Sequence, residues 1–520
     1  MLVNVPAAKC IGINAVPVNV EIDIVPGIGI HLVGLADTAV KESLLRTITA
    51  LQTLDFKIPG RKIVINLAPA DLHKSGSGYD LPIAVGIIAA SGQAEMPRVN
   101  EFLVMGELGL DGTVRDIPGA LPYAALAMEM GLKGCILPLN SALEAASFKE
   151  MEIYAVETLS DVVCILGGED CSEKLVWNRR EWNRLRRGKT NREGSASEYM
   201  DFADILGQEG AKRGVEIAAA GGHNIIMVGP PGSGKSSLAK AMAGILPPMT
   251  HDESVTASKI YSVSGIKLPG DGFVRRRPFR MPHHSVSIPA MIGGGSGDNI
   301  MPGEVTLAHA GVLFLDEFNQ MPRSLMESLR GPLEDRKVTV SRLKSRIEYP
   351  ASFMLVAASN PCPCGYYGEK DKCICTPMQR MSYLSKLSGP ILDRIDIHIW
   401  MHPVASGTML SSGKGEPTSV VAERVLKARI MQKHRFAGEN IFSNAEMNNR
   451  QIDIYCQLSP ACRKAMEKII ENMQLSMRAF YRIIRVARTI ADLDGSEDIL
   501  PVHIAEASSY RFLDKEKLGM

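Results

Sequence analysis

Residues 224–246 of this 520-residue chain read NIIMVGPPGSGKSSLAKAMAGIL. The segment 224–228 predicts an apolar strand, and the residues after Ser236 predict a helix. Between them, Gly232 and Gly234 let successive backbone amides point inward, and the start of the helix adds positive potential. The stretch therefore predicts a phosphate-binding loop within a parallel α/β layer.

Two side chains of this loop carry nucleotide chemistry. Lys235 is placed to reach the β- and γ-phosphates, and the Ser236 hydroxyl is a ligand for Mg²⁺. We therefore expect ATP and Mg²⁺ as cofactors. The predicted nucleotide-binding residues of the loop are Gly229, Pro230, Pro231, Gly232, Ser233, Gly234, Lys235 and Ser236.

A second apolar strand, predicted over 311–315, ends in the acidic pair Asp316-Glu317. Carboxylates at the C-terminal edge of such a strand lie beside the phosphate loop in a doubly wound sheet. Asp316 is a candidate Mg²⁺ ligand in the nucleotide site, and Glu317 is a candidate for orienting or deprotonating the attacking water. Alone, the pair is more typical of a solvated strand end, but together with the loop it predicts hydrolysis.

Two further polar residues lie at the ends of predicted strands. Asn360 follows the strand 353–359, where its amide could hydrogen-bond the γ-phosphate or the attacking water. Arg394 precedes an alternating strand, and an arginine there can neutralise transition-state charge if it reaches a phosphate held by a neighbouring subunit. For Arg394 taken in isolation, a surface salt bridge is the alternative interpretation.

A row of arginines marks the helix predicted to begin near Leu475. Spacings of four, three and three residues draw a cationic stripe down one face. The row consists of Arg478, Arg482, Arg485 and Arg488. Like charges at this spacing repel, which favours a nearby anion, and Arg478 at the helix start is the best-placed contact for a phosphate. A solvated stripe is the alternative for the other three.

Four of the ten cysteines fall between positions 362 and 375. The pairs Cys362-Pro-Cys364 and Cys373-Ile-Cys375 bracket an eight-residue loop. Four thiolates can close a tetrahedral Zn²⁺ site, and a cytoplasmic setting disfavours disulfides. Because the spacing is CxC and not the commoner CxxC, reduced thiols without a metal remain the alternative to structural zinc.

Basic residues and histidines also occur outside these motifs. The segment 337–349 alternates apolar and polar residues around a basic centre, which predicts a β-hairpin whose tip residues Arg342 and Lys344 are candidate DNA contacts. The run 179–192 holds seven Lys and Arg against one Glu and is more typical of a solvated connector. His283 and His284 lack a third ligand nearby, which favours loop packing or substrate contact over a metal site.

Composition places the chain among globular proteins. Apolar residues make up 45% and charged residues 22%, and 58 Lys and Arg balance 57 Asp and Glu, so local basic patches must meet any nucleic acid. The N-terminal residues lack the basic and apolar regions of a signal peptide, and Gly, Pro, His or Asn interrupts each long uncharged stretch. We expect a cytoplasmic protein with no membrane partner.

Changes in periodicity divide the chain and predict an α/β fold class. A strand over 16–24, a helix capped by Asp37 and a strand over 63–67 predict an α+β domain at 1–165. A basic linker is predicted at 166–200. Strand and helix alternate over 201–404, as in a parallel α/β module, and after a Gly/Ser-rich break a helical lid is predicted at 405–520.

Six motifs together resemble the ComM/YifB family of AAA+ ATPases, which are similar to the magnesium-chelatase ATPase subunit and, more distantly, to the MCM helicases. The likeness covers nearly the whole chain. Its carriers are GPPGSGKS at 229–236, RPFRMPHHSVS at 277–287, GVLFLDE at 311–317, VAASNPCPCG at 356–365, LDRIDIH at 392–398 and LSMRAFYRIIRVARTIADL at 475–493.

The resemblance implies a role for each candidate residue. It implies Walker A at Lys235 and Ser236, Walker B at Asp316 and Glu317, sensor 1 at Asn360, a trans-acting arginine finger at Arg394 and sensor 2 at Arg478. It also implies a homo-oligomeric ring, usually a hexamer, in which the 337–349 hairpin faces the pore.

The N-terminal domain resembles the fold of the Lon protease domain, in which a serine and a lysine cleave peptides. Laying residues 74–80 on the Lon serine motif puts Gly78 at the nucleophile, and residues 117–121 put Leu121 at the lysine. The resemblance therefore implies the fold without proteolysis, unless a shift of register brings Ser75 or Ser77 to the nucleophile position.

The resemblance implies an ATP-driven ring motor that acts on branched or single-stranded DNA. Its implied role is helicase-like branch migration of recombination intermediates during natural transformation. Two alternatives come from other classes of protein: a protein-remodelling chaperone or chelatase-like ATPase, and a Lon-like protease.

Overall fold

The computed structural model describes residues 2–35, 37–184, 199–268, 272–295, 300–341, 346–369, 372–387, 389–403, 415–439 and 441–516. Its strands are β1 (Val3–Ile11), β2 (Asn14–Val25), β3 (Ile30–Val33), β4 (Lys62–Ala68), β5 (Phe102–Val104), β6 (Glu107–Leu108), β7 (Val114–Arg115), β8 (Gly134–Pro138), β9 (Glu152–Val156), β10 (Ile225–Val228), β11 (Phe279–Arg280), β12 (Gly293–Gly294), β13 (Met301–Pro302), β14 (Val312–Leu315), β15 (Lys337–Ser341), β16 (Arg346–Pro350), β17 (Met354–Ser359) and β18 (Ile397–Trp400).

Its α-helices are α1 (Thr38–Thr53), α2 (Asp80–Ala90), α3 (Ala120–Glu129), α4 (Leu139–Ala145), α5 (Leu159–Gly167), α6 (Glu209–Gly221), α7 (Lys235–Ile245), α8 (His251–Val263), α9 (Ile288–Ile292), α10 (Glu304–Leu307), α11 (Arg323–Ser328), α12 (Arg330–Asp335), α13 (Pro377–Leu384), α14 (Gly389–Leu392), α15 (Thr418–Arg435), α16 (Asn449–Tyr455), α17 (Pro460–Met473), α18 (Met477–Leu493), α19 (Pro501–Ser509) and α20 (Phe512–Glu516).

Five parallel strands form the central sheet, in the order β11-β14-β17-β10-β18. Within β10, Ile225 and Met227 face one hydrophobic core with the C-terminal helices, whereas Ile226 and Val228 face a second core with helices α9 to α11. Both faces are covered, as a parallel sheet requires. The predicted parallel α/β layer is confirmed, and the carboxyl ends of its strands meet at one edge.

The N-terminal unit contains a four-stranded sheet, β1-β2-β4-β3, and a three-stranded sheet, β5-β8-β9. Val18, Val20 and Ile22 of β2 are fully buried, in keeping with the alternation read from the sequence. The Asp37 carboxylate caps α1 by accepting a 2.8 Å hydrogen bond from the Val40 amide, as predicted. The expected α+β architecture of this unit is confirmed.

Residues that follow α5 remain packed on the N-terminal unit. Leu175 bridges Tyr154 of β9, Val176 is fully buried and Trp182 is 7% exposed in the same core. The core of the first unit therefore reaches residue 182, inside the region where the sequence predicts a linker. The basic residues between 185 and 198 lie outside the described residues.

The C-terminal region is helical, as predicted, from α15 to α20. Helix α18 is its most buried member, because apolar residues such as Ile483, Ala487 and Ile490 face the core that also covers the sheet. Among the described residues, no helix combines the length and the apolar character needed to cross a bilayer.

Gly311 lets β14 approach the chain that enters β11. A Cβ at this position would lie 2.0 Å from the backbone oxygen of Pro278, and the Val312 amide donates to that oxygen at 2.8 Å. We expect Gly311→Ala to lower the free energy of unfolding by about 2 kcal/mol, because backbone atoms must move apart. Urea unfolding followed by circular dichroism measures the change.

The control for this substitution is Gly331→Ala in α12, where nothing lies within 4 Å of the added Cβ. Equal stability of the two variants would contradict the expectation.

Candidate active site

A cavity of about 710 Å³ lies at the C-terminal edge of the central sheet. It is lined by residues 231–237 of the phosphate loop, 281–284 after β11, 316–317 after β14, and 360 after β17. The structure therefore brings nine predicted site residues into one cavity: Pro231, Gly232, Ser233, Gly234, Lys235, Ser236, Asp316, Glu317 and Asn360. Gly229 and Pro230 of the predicted loop do not line it.

The phosphate loop turns sharply between β10 and α7. Gly232 and Gly234 have φ angles of +77° and +90°, in the left-handed region that favours glycine. Apart from the residues next to each glycine in the chain, no atom lies within 4 Å of the point that its Cβ would occupy. The loop thus presents open space in front of the first amides of α7, an 11-residue helix. This cradle fits phosphate oxygens.

The side chain of Lys235 crosses the phosphate loop and contacts the backbone at its start. Its ammonium donates to the backbone oxygens of Gly229 at 2.7 Å and Pro230 at 2.8 Å, and lies 3.5 Å from the side-chain oxygen of Asn360. Burial lowers the pKa of Lys235, while the negative charge of Asp316 opposes that shift. Because neutral carbonyls are its nearest partners, a bound phosphate would stabilise the charged form.

Ser236 and Asp316 form the oxygen-rich part of the cavity. The Ser236 hydroxyl donates to one Asp316 carboxylate oxygen at 2.9 Å, and the other oxygen accepts from the Glu317 amide at 2.8 Å. A hydroxyl and a carboxylate are hard oxygen ligands of the kind that Mg²⁺ prefers. The two residues fit a magnesium ion shared with nucleotide phosphates.

Glu317 has a histidine partner that the sequence did not indicate. Its carboxylate lies 3.2 Å from Nδ1 of His284, and the ring of His283 lies 4.1 Å from that of His284. Both Glu317 and His284 are partly exposed to the cavity. The sequence favoured loop packing or substrate contact for the histidine pair, and the structure places His284 against the acid expected to act on water.

The segment that carries His284 is held at its base by arginines of the same motif. Arg277 pairs with Glu253 at 2.9 Å, and Arg280 pairs with Glu304 at 2.7 Å. Strand β11, which contains Arg280, pairs with β14, the strand that precedes the acidic pair. No sequence signal indicated this contact, because the pairing of β11 with β14 that brings His284 to Glu317 is a tertiary feature.

Arg394 and Arg478 do not reach the phosphate loop of their own chain. Both line a second cavity of about 460 Å³ that shares no residue with the first. Arg394 pairs with Glu334 and donates to the backbone oxygen of Pro390 at 2.8 Å, so the salt bridge considered from the sequence is present. Arg478 is exposed and has no hydrogen-bond or ion-pair partner within the described part of the chain.

Two other arginines of α18 are balanced inside the chain. Arg482 pairs with Asp396, and Arg488 pairs with Asp492 at 3.1 Å. Burial by itself would raise the pKa of Asp396, but the positive charge of Arg482 holds that pKa well below its usual range. These two arginines are therefore ion-paired with buried acids. Arg485 is half-buried, and burial lowers its pKa. Arg478 is the one exposed member of the predicted row.

The four clustered cysteines converge. The sulfurs of Cys362 and Cys364 are 3.3 Å apart, and Cys373 lies 3.8 Å from the first and 3.7 Å from the second. With Cys375, all four sulfurs lie within 4.8 Å of one another. Zn–S bonds of about 2.3 Å in a tetrahedron would place sulfurs roughly 3.8 Å apart, whereas a disulfide needs about 2 Å. The arrangement fits a tetrahedral metal ion.

The expected hairpin is present as β15 and β16. Val340 pairs with Ile347 and Val338 with Tyr349, and these four side chains are buried while the alternate positions face outward. The predicted tip residues Arg342 and Lys344 lie outside the described residues.

The positions expected for a Lon-like serine and lysine have apolar surroundings. The Cβ position of Gly78 is 3.0 Å from Met105 Cε and 3.8 Å from Ile117, and Leu121 is 2% exposed. Ser77 donates its hydroxyl to the Glu107 carboxylate, so its partner is an acid and not a lysine. This geometry offers no serine–lysine pair at those positions.

Three family models match successive parts of the chain. Residues 20–141 match subunit ChlI of Mg-chelatase, residues 201–409 match magnesium chelatase subunit ChlI, and residues 415–511 match the ChlI C-terminal region. Together they span the N-terminal unit, the central sheet and the C-terminal helices described above.

Individual proteins agree with these matches. Competence protein ComM of Haemophilus influenzae is 41% identical over 503 residues, which cover 96% of this chain and 95% of that protein. YifB of Escherichia coli is 39% identical over 509 residues, covering 97% and 96%. Lon protease 2 of Bacillus subtilis is 30% identical over 126 residues, covering 24% and 22%. The chain therefore belongs to the ComM/YifB family of magnesium-chelatase-like AAA+ proteins.

Proposed function

We propose that this protein is an ATP-hydrolysing ring motor that acts on DNA. The observation that carries the proposal is the cavity in which the phosphate loop, the Ser236–Asp316 pair and Glu317 meet. Membership of the AAA+ magnesium-chelatase-like family indicates an ATPase, and the arrangement of the cavity supports the role proposed below for each residue.

In the proposed reaction, the loop amides and Lys235 bind the phosphates. Ser236 and Asp316 would hold Mg²⁺, whose positive charge would offset the negative charge of the phosphates. Asn360 orients the γ-phosphate and the attacking water. Glu317 accepts the proton as the water oxygen bonds to the γ-phosphorus and the bond to the ADP oxygen breaks. His284 contacts that carboxylate and so helps to position it.

Substitutions of Lys235 and Glu317 separate binding from hydrolysis. We expect Lys235→Ala to weaken ATP binding about 100-fold, because a buried charge-assisted contact to phosphate is lost. Glu317→Gln should keep ATP affinity and lower the hydrolysis rate by about 10²-fold or more, because an amide cannot accept the proton. Calorimetric titration with ATP and a phosphate-release assay measure the two quantities.

The matched control is Lys240→Ala, which removes an exposed lysine from the same helix. Unchanged ATP affinity in Lys235→Ala would contradict the assignment of the loop.

The proposed ring is supported by the separation of the two cavities. Arg394 and Arg478 share a cavity from which the phosphate loop is absent. If Arg394 or Arg478 serves a γ-phosphate, that phosphate is held by another protomer, which a closed ring supplies at every site. We infer a homo-oligomeric ring, by family resemblance a hexamer, in which Arg394 acts as a trans arginine finger and Arg478 as sensor 2.

Mixing experiments test whether these arginines act between protomers. We expect Arg394→Ala and Arg478→Ala each to abolish most hydrolysis in assembled rings, the former by about 10³-fold because transition-state charge is left unpaired. Addition of Lys235→Ala protein should restore part of the phosphate release, because its intact arginines reach the intact loops of the other variant.

The control mixture uses the double variant Lys235→Ala with Arg394→Ala, which should not rescue Arg394→Ala. Full activity of a monomeric Arg394→Ala protein would exclude the shared site.

DNA as the substrate is supported by the hairpin and by the relatives. Strands β15 and β16 pair as a hairpin, and the residues that connect them in the sequence include Arg342 and Lys344. One 41%-identical relative is named a competence protein. We propose helicase-like branch migration of recombination intermediates during natural transformation, in the cytoplasm. Protein remodelling is the competing outcome of the test below.

Forked DNA should stimulate ATP hydrolysis severalfold, and the combined change of Arg342→Ala and Lys344→Ala should bring the ratio of DNA-stimulated to DNA-free hydrolysis towards one. The reason is that phosphate-backbone contacts hold DNA electrostatically. Phosphate release and strand displacement are measured at fixed salt.

Lys337→Ala is the matched control, since Lys337 lies at the hairpin base and pairs with Glu348. Stimulation by unfolded protein but not by DNA would favour the remodelling chaperone.

We also propose that the four cysteines hold a structural Zn²⁺. The proposal is supported by sulfur separations close to those of a tetrahedral site and by the chemistry of a four-thiolate set. Reduced cytoplasmic thiols are available for such binding.

A further inference from the structure

The cysteine loop, defined as residues 361–369 and 372–376, lies directly over the end of β10. Val228, the last residue of β10, pairs with Ser359 on one side and Trp400 on the other. The loop begins two residues after Ser359 and touches Trp400 again through Gly368, whose Cβ position lies 3.3 Å from the indole. The loop therefore bridges the two strands that flank the phosphate-loop strand.

The cysteine loop also touches the phosphate loop itself. The Cβ position of Gly365 lies 3.0 Å from Cδ and 3.1 Å from Cγ of Pro231, and Gly365 has a φ of +85°. A side chain at this position would meet both conformational strain and the proline ring. Just before the cysteine loop, Asn360 lies 3.5 Å from the ammonium of Lys235. Any movement of the cysteine loop would therefore displace Pro231 and Asn360.

Burial does not hold this loop in place. Among its described residues only Pro361, Cys362 and Gly365 are buried, and none of the three hydrophobic clusters includes a residue of the loop. Helix α13, which follows it, contains no buried residue. A segment with so little apolar burial needs another source of order, and four sulfurs around one ion supply it.

We propose that a thiophilic divalent cation bound by the four cysteines holds the loop against Pro231 and so raises the affinity of the phosphate loop for ATP. This inference rests on the proposed nucleotide and zinc sites and adds a coupling between them. Because coupling between two ligands is reciprocal, ATP must raise the affinity for the metal by the same factor.

The test measures both sides of this coupling in the intact protein. Zinc affinity is measured at equilibrium by competition with a chelator that binds Mg²⁺ weakly, with and without a non-hydrolysable ATP analogue. Affinity for the analogue is measured with and without zinc. We expect the analogue to raise zinc affinity about tenfold, and zinc to raise affinity for the analogue by the same factor, within the usual range for coupled sites. In Lys235→Ala protein, the analogue should leave zinc affinity unchanged.

One variant separates the contact from the metal site. Gly365→Ala keeps all four cysteines but forces the loop away from Pro231, so bound zinc should persist while affinity for the analogue falls several-fold. Lys372→Ala is the matched control, since it removes an exposed lysine of the same loop that pairs with Glu369 and should change neither affinity.

The outcomes distinguish failure of the coupling from failure of its premises. If zinc binds and affinity for the analogue does not depend on it, the coupling is overturned and the zinc proposal stands. A protein that binds the analogue but no zinc overturns the zinc site together with the coupling. A protein that binds zinc but no analogue overturns the nucleotide site and with it the coupling.

Discussion

The parallel pairing of β10 with β17 and β18 is the constraint on which the candidate site depends. Because the three strands run in one direction, their carboxyl ends meet, and the loops that leave them share one edge. The phosphate loop, Asn360 and Trp400 lie close together for this reason. The acidic pair joins them because β14 lies next to β17.

The two cavities differ in how their basic side chains are balanced. Around the first cavity, the nearest partners of Lys235 are neutral carbonyls, so no carboxylate in contact with it would compete with a phosphate for its ammonium group. On the other side, Arg482 and Arg488 of α18 are already balanced by buried acids, and Arg478 is left exposed. In the proposed ring, the exposed Arg478 of one protomer would lie close to the phosphate loop of the next.

Local pattern was sufficient wherever neighbours in sequence are neighbours in space. The sequence predicted three local features: the strand, glycine loop and helix around Lys235, the helix cap at Asp37, and the hairpin that begins at 337. Their geometry follows from periods of two and 3.6 and from the conformational freedom of glycine. The cysteine pairs were readable as a cluster for the same reason. The family likeness then implied a role for each of these parts.

The sequence by itself determined the kind of site, because the phosphate loop and the acidic pair are contiguous motifs whose chemistry depends on residue type. Tertiary structure alone decided which distant groups meet: His284 against Glu317, Arg394 against Glu334, and Gly365 against Pro231. These partners are separated by 33, 60 and 134 positions, and such contacts depend on strand order and loop direction. No periodicity along the chain encodes them, since period reports only which face of one element a residue occupies.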